Sequence, residues 1–230
     1  MNFKLECEKL NININKDIED KLNLYFNTLI ETNKVMNLTN ITDKDEVYNK
    51  HFLDSLYLTK ALSKDKYSLC DVGSGAGFPA LPLAITNENA SITIIDSLNK
   101  RINFLNNTIS LLNINNIRAY HLRAEDAKEF RESFDYVTAR AVARLNMLLE
   151  LCMPLVKVGG SFIAMKSVLA SEELEESKNA IAKLGGKIKE VINYELPDDA
   201  GTRTLIVIEK IKNTPNIYPR IFKKIKENPL

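Results

Sequence analysis

Between Leu69 and Leu81 the chain reads LCDVGSGAGFPAL. Asp71 is followed by glycines at alternate positions, Gly73, Gly75 and Gly77, then by Phe78, Pro79 and an apolar run. A short apolar segment, a glycine turn and a helix start, in this order, are the construction that holds nucleotide-like cofactors. Without Cβ atoms, the turn lets a ligand approach the backbone and lets φ become positive. The spacing then selects among cofactors. Dinucleotide folds carry G-x-G-x-x-G, with a pyrophosphate on the helix N-terminus. Here the spacing is G-x-G-x-G, with an acid two residues ahead of the first glycine. A carboxylate at that point repels a pyrophosphate but pairs with the ammonium of a methionine moiety. The pattern therefore favours S-adenosylmethionine over NAD, with a ligand-free glycine turn as the alternative.

Other polar residues fall where strand ends are expected. Asp96 follows the glycine loop by about 20 residues, the spacing at which an acid accepts ribose hydroxyls. Its alternative is a cap for the helix that follows. Glu125 and Asp126 lie in RAEDA, where Ala124 is small enough to admit an adenine ring. Phe78 either lines the cofactor pocket or packs into the core. Arg140 and Arg144 flank a strand end in TARAVARL, and Lys166 ends the next strand on the same rim. Arginine there suits an anionic or planar partner, such as an RNA phosphate or a base; salt bridges to nearby acids are the opposing reading. His51 and Asp54 share a helix face, and His121 lies within a strand; for both histidines a structural role is the default.

Absences narrow the reaction. There is no Pro-Pro dipeptide to grip an exocyclic amine, and no cysteine after a proline to attack cytosine. No Ser-His-Asp pattern or metal-ligand spacing is present. A ring nitrogen with a free lone pair, such as guanine N7, carries no proton and needs no general base. Arg140 would then act by positioning.

The elements that must hold these residues are legible as an alternation. Residues 1–66 read helically, with Ile18, Leu22, Tyr25, Phe26 and Leu29 on one face. A second helix is predicted from about Asp43, capped by Thr42 and Asp45. Strands are predicted at Leu69–Val72, Ser91–Asp96, Ile117–Leu122, Phe134–Ala139, Ser161–Lys166, Lys187–Leu196 and Thr204–Ile211. Helices are predicted at Asn99–Leu112, Leu145–Val156 and Ser171–Leu184. This pattern predicts a mostly parallel α/β sheet at 67–211, covered on both faces. The 1–66 helices have too little apolar face to stand alone and are expected to pack on it.

At 230 residues, with 45% apolar and 27% charged residues, the chain suits one sizeable domain with an extension. No apolar run matches a membrane span and MNFKLECEKL lacks a signal-peptide core, so a cytoplasmic protein is expected. The three cysteines form no C-x-x-C. Net charge is only +1, which excludes a large non-specific field for nucleic acid. The C-terminal part, with its tail at 212–230, is locally basic: from Lys210 to Lys226 it carries Lys210, Lys212, Arg220, Lys223, Lys224 and Lys226 with no acid among them, and Tyr218 and Phe222 interleaved. It suits either RNA contact or a solvated, frayed terminus.

HFLDS at 51–55, DVGSGAGFP at 71–79, DSLNKR at 96–101, TARAVA at 138–143, MPLVK at 153–157 and KNTP at 212–215 occur in order. Together they make the chain resemble the bacterial 16S rRNA guanine-N7 methyltransferase family RsmG, also called glucose-inhibited division protein B (GidB), from about Asn33 to Arg220. The resemblance implies a class I S-adenosylmethionine-dependent methyltransferase fold, Rossmann-like and seven-stranded, with an N-terminal helical extension. It implies S-adenosylmethionine as cofactor, S-adenosylhomocysteine as product, no metal, and 7-methylguanine in the 530 loop of 16S rRNA. Cofactor contacts would fall on Gly73, Gly75, Gly77, Phe78, Asp96, Ala124, Glu125 and Arg140. Arg144, Lys166, Arg203, Lys223 and Lys224 would face RNA. The expected partner is 16S rRNA within the 30S subunit or an assembly intermediate, met by a monomer. A small-molecule or protein methyltransferase, and a ribosome-binding module that retains the pocket without turnover, are the competing readings.

Overall fold

The computed structural model describes residues 1–167 and 170–230. Among the described residues, runs of β-branched and apolar residues form seven strands: β1 Tyr67–Val72, β2 Ala90–Asp96, β3 Ile117–His121, β4 Phe134–Arg140, β5 Val156–Lys166, β6 Gly186–Glu195 and β7 Thr202–Lys210. Their order is β3-β2-β1-β4-β5-β7-β6. Strands β1 to β5 run parallel, and β7 is inserted antiparallel between β5 and β6. β1 and β4 are neighbours although two strands separate them in sequence, and Asp71 lies opposite Thr138. This is the switch point, where the carboxyl ends of adjacent strands open a crevice.

The helices are α1 Phe3–Lys9, α2 Lys16–Met36, α3 Lys44–Val47, α4 Asp54–Leu56, α5 Ala80–Thr86, α6 Asn99–Leu111, α7 Leu145–Cys152, α8 Ala170–Lys183 and α9 Phe222–Glu227. Two apolar clusters sandwich the sheet. One joins Leu22, Tyr25, Leu29, Phe52 and Leu56 of the N-terminal helices to α5, α6 and their face of the sheet. The other packs α7, α8 and Ile225 of α9 on the opposite face. Residues 1–66 thus share the core of the sheet, and the Tyr25 hydroxyl donates to the Ala76 carbonyl in the glycine loop at 2.7 Å. No helix among the described residues is long and apolar enough to cross a membrane.

Three expectations need correction. Asp43, rather than Thr42 or Asp45, caps α3, accepting from the Glu46 amide at 3.0 Å. The helix predicted to Val156 stops at Cys152, and Met153–Leu155 form a 3-10 turn around Pro154, which has no N–H to continue a helix. The basic terminus is anchored rather than frayed between Thr214 and Arg220, while Lys223, Lys224 and Lys226 stay exposed. Arg131 donates to the carbonyls of Tyr218 and Thr214, and Arg220 donates through its amide and guanidinium to the fully buried Glu150.

Candidate functional site

The glycine loop leaves β1 with φ of +75° at Gly73, +63° at Gly75 and +104° at Gly77. At Gly77 a Cβ would lie 2.5 Å from Leu81, so the loop can close onto α5 only with glycine there. At Gly75 a Cβ would meet no atom within 4 Å, so the rim of the loop is open to a ligand. The Gly75 amide donates to Asp96 Oδ2 at 3.1 Å, and the Leu98 amide to Oδ1 at 2.9 Å. Asp96 therefore ties the loop to the carboxyl end of β2 while leading into α6. The Leu122 amide donates to the Asp96 carbonyl at 3.1 Å, which brings the Ala124–Asp126 turn to the same edge. Ala124 and Glu125 are half-buried there.

Asp71 stands near the carboxyl end of β1, where the glycine loop leaves the strand. It lies fully buried beneath the loop, accepting from the Ser74 hydroxyl and from the Ala80 amide at 3.2 Å. Burial pushes its carboxyl up to about 7, against the hydrogen bonds and the charge of Arg140 that favour ionisation. Its Oδ1 is buried without a partner. An orphaned carboxylate oxygen below an open glycine rim fits a cationic nucleotide-like ligand in donor chemistry and in space.

Beside this loop, Arg140 ends β4 and organises a second cluster. Its guanidinium lies 5.0 Å from the Phe78 ring centroid and donates to Asp54 Oδ2 at 2.9 Å. It also approaches the Lys50 carbonyl at 3.4 Å and His51 Nδ1 at 3.3 Å. Phe78 is buried and stacks on His51 at 4.5 Å, so it supports Arg140 from the core. Immediately after Arg140, Ala141 takes φ of +56°, a left-handed conformation costly for any residue with a Cβ. This turn sends Val142 across Gly73, where an added Cβ would sit 2.7 Å from the valine. Backbone strain thus falls where the two clusters meet.

His51, for which a structural role is the default, and Asp54, noted only as sharing its helix face, are the functional candidates that residue types alone do not pick out. They lie on a π-helical stretch, Tyr48–Leu53, and the first residue of α4. The wider turn brings Lys50, His51 and Asp54 together around one guanidinium. Such insertions are frequent at functional sites. Burial, followed by the charge of Arg140, pushes His51 down to about 3, so the ring is neutral. Either Nδ1–H donates to Lys50 and Nε2 accepts from Thr39, or Nδ1 accepts from Arg140 and Nε2–H donates to Thr39. Asp54 Oδ1 accepts from the Tyr194 hydroxyl at 2.8 Å. The long sequence separations leave no local signal for these contacts; only the spacing of HFLDS hinted at a shared face.

A cleft of about 430 Å³ opens over the cluster, lined among others by His51, Asp54, Arg140, Lys166, Tyr194 and Arg203. Arg203 lies 3.9 Å from Asp54 and belongs to the cleft. Lys166 also lines it but is committed to Glu173 at 2.6 Å and to the Ala143 carbonyl. Arg144 is exposed and paired with Glu176 at 2.6 Å. Lys223 and Lys224 are not brought to the cleft. They lie exposed on α9, which the Arg220–Glu150 contacts fix near the far end of α7. Among the described residues no three His, Cys, Asp or Glu side chains gather as metal ligands.

A family model described as rRNA small subunit methyltransferase G (GidB) matches residues 18–200. The chain is 50% identical over 224 residues to ribosomal RNA small subunit methyltransferase G of Lactobacillus johnsonii, covering 95% of this chain and 94% of that one. It is 51% identical over 210 residues to the Staphylococcus saprophyticus protein of the same name, covering 88% and 86%. Among solved structures, TYW2 of M. jannaschii in complex with AdoMet matches with a TM-score of 0.58 at 17% identity, covering 75% of this chain and 80% of that one. A ribosomal protein L11 methylase from Lactobacillus delbrueckii subsp. bulgaricus matches at 0.53 and 19%, covering 71% and 80%. At such identities the two structures show a shared fold.

Proposed function

This chain belongs to the rRNA small subunit methyltransferase G family, and we propose that it transfers a methyl group from S-adenosylmethionine to N7 of a guanine in the 530 loop of bacterial 16S rRNA. The observation that carries this reading is Arg140 held between Asp54 and Phe78 at the junction of glycine loop and cleft. S-adenosylmethionine, when bound, supplies a methyl group carried on a sulfonium sulfur. Gly73, Gly75 and Gly77 would hold it by close backbone approach, Asp96 on its ribose side and Ala124–Glu125 beside its adenine. Phe78 would serve by fixing Arg140.

Guanine N7 offers a lone pair and no proton, so the cleft has no proton to remove. Its titratable groups suit that demand. His51 stays neutral and is hydrogen-bonded within the cluster, and Asp54 is engaged by Arg140 and Tyr194. A cation cannot stabilise the positive charge that develops on the methylated base. The role of Arg140 is therefore orientation of the donor and of the planar base.

RNA would enter over the cleft, whose lining carries four cationic and two anionic side chains. Arg203 and Arg140 are the cations best placed for it, while Arg144 and Lys166 would exchange Glu176 and Glu173 for phosphates. Near-zero net charge favours a structured partner, the 30S subunit or its assembly intermediate, met in the cytoplasm by a monomer. The test is incubation of purified protein and labelled cofactor with naked 16S rRNA and with undermethylated 30S subunits. Label in 7-methylguanine supports the proposal, and turnover on neither RNA overturns it.

A further inference from the structure

We propose that Tyr194 is a positioning residue for this reaction, fixing Arg140 through the carboxylate of Asp54; the inference rests on the function proposed above. Tyr194 lies on β6, 140 residues from Asp54, in the antiparallel hairpin beyond the glycine loop and the strands that carry it. Its hydroxyl donates to Oδ1 of Asp54 at 2.8 Å, while Oδ2 accepts from Arg140 at 2.9 Å. One carboxylate, 4% exposed, thus joins the hairpin to the guanidinium beside the glycine loop.

Two further contacts hold the donor in place. The Tyr194 ring stacks on Tyr57 at 4.3 Å and 13°, and the Asn49 side chain donates to the Pro197 carbonyl at 2.7 Å. The hydroxyl also decides between two cations. Arg203 lies 3.9 Å from the same Oδ1 and makes no closer bond to it. With the phenol in place, Oδ1 is taken by a neutral donor and Oδ2 is left for Arg140. Without it, Oδ1 is open to Arg203, the carboxylate can rotate, and Arg140 loses its fixed place over Phe78. Phenylalanine would keep the ring packing and remove only this hydrogen bond, so a space-filling role and a positioning role separate cleanly.

The test is a double-mutant cycle of wild type, Tyr194→Phe, Arg140→Lys and the double variant. It is read by calorimetric affinity for S-adenosylhomocysteine and by kcat/KM for methyl transfer to 30S subunits. Tyr194→Phe is expected to lower at least one of these by about tenfold, and by less than about twofold in the Arg140→Lys background. Its melting temperature is expected to fall by about 3 °C or less. Equal loss in both backgrounds, or no loss in either readout, overturns the proposal. A wild-type protein that binds the cofactor product yet methylates no RNA refutes the functional reading instead, and the calorimetric cycle still decides for or against Tyr194.

Discussion

The two ends of the sheet use the same chemistry for opposite purposes. At the end away from the cleft, Arg220 places its amide, Nε and Nη2 on the fully buried Glu150, and Lys210 donates to Glu132 and the Met153 carbonyl. There the ion pairs close the C-terminal segment onto α7. At the carboxyl end, Arg140 pairs with Asp54, which is also buried, but it also lines an open cleft. The same end holds a neutral histidine, an orphaned Asp71 oxygen, a left-handed Ala141 and a π-helical stretch. An ion pair is saturated where it serves stability. At the carboxyl end Arg140 keeps an open side toward the cleft, which the proposed reaction uses.

Replacing one carboxylate at each end should separate the two purposes. Asp54→Asn removes the charge that holds Arg140 and is expected to lower kcat/KM for 30S methylation about a hundredfold. Glu150→Ala leaves Arg220 without its acceptor and is expected to cost about 3 kcal/mol, or about 8 °C in melting temperature. Its activity per folded molecule should match the wild type. Chemical denaturation with steady-state kinetics checks both; a Glu150 variant that is stable but inactive would erase the distinction.

The cleft should also announce itself in pH. His51 has an ordinary value of 6.5 and lies near 3 in the fold, so only the unfolded chain takes up its proton between those values. Stability from this group is present above pH 6.5 and is lost as pH falls toward 3. Asp71 has the opposite sign. Its carboxyl is raised from 3.8 to about 7, so its contribution is present below 3.8 and lost as pH rises through 7. In unfolding measured from pH 7 to 4, His51→Asn should remove the His51 part of the acid-side loss and leave the Asp71 component and that of the depressed Glu132 and Asp135 carboxyls. Parallel curves for wild type and variant would show that His51 is not buried neutral.

The smallest effect is expected at the tail. Lys223→Ala with Lys224→Ala should change RNA affinity less than about twofold, whereas Arg203→Ala should reduce the salt slope by roughly 0.7 to 0.9. The reverse order would move the RNA surface to α9.

Much of this division is written in local sequence. The run SITIID, the alternate glycines and the acid closing β2 each follow from a short-range rule, and the structure keeps them where those rules put them. Segments governed by distant partners were not legible. Arg140 meets Asp54 and His51 across 86 and 89 residues, and Tyr194 meets Asp54 across 140. No periodicity within a helix reports a contact of that range. The π-helical stretch escaped for the same reason, since ordinary helical spacing describes Tyr48–Leu53 equally well. In the tail, Arg220 reads as a free cation until Glu150 is seen to be its acceptor.

The most direct measurement is position-resolved mass spectrometry of 16S rRNA from undermethylated 30S subunits incubated with saturating S-adenosylmethionine and either wild-type protein or Arg140→Ala. Wild type is expected to convert the 530-loop guanine to 7-methylguanine, and Arg140→Ala, folded to the same extent, to leave it at least about a hundredfold slower. Equal conversion by both proteins, or methylation at another position, would contradict a site built around Arg140.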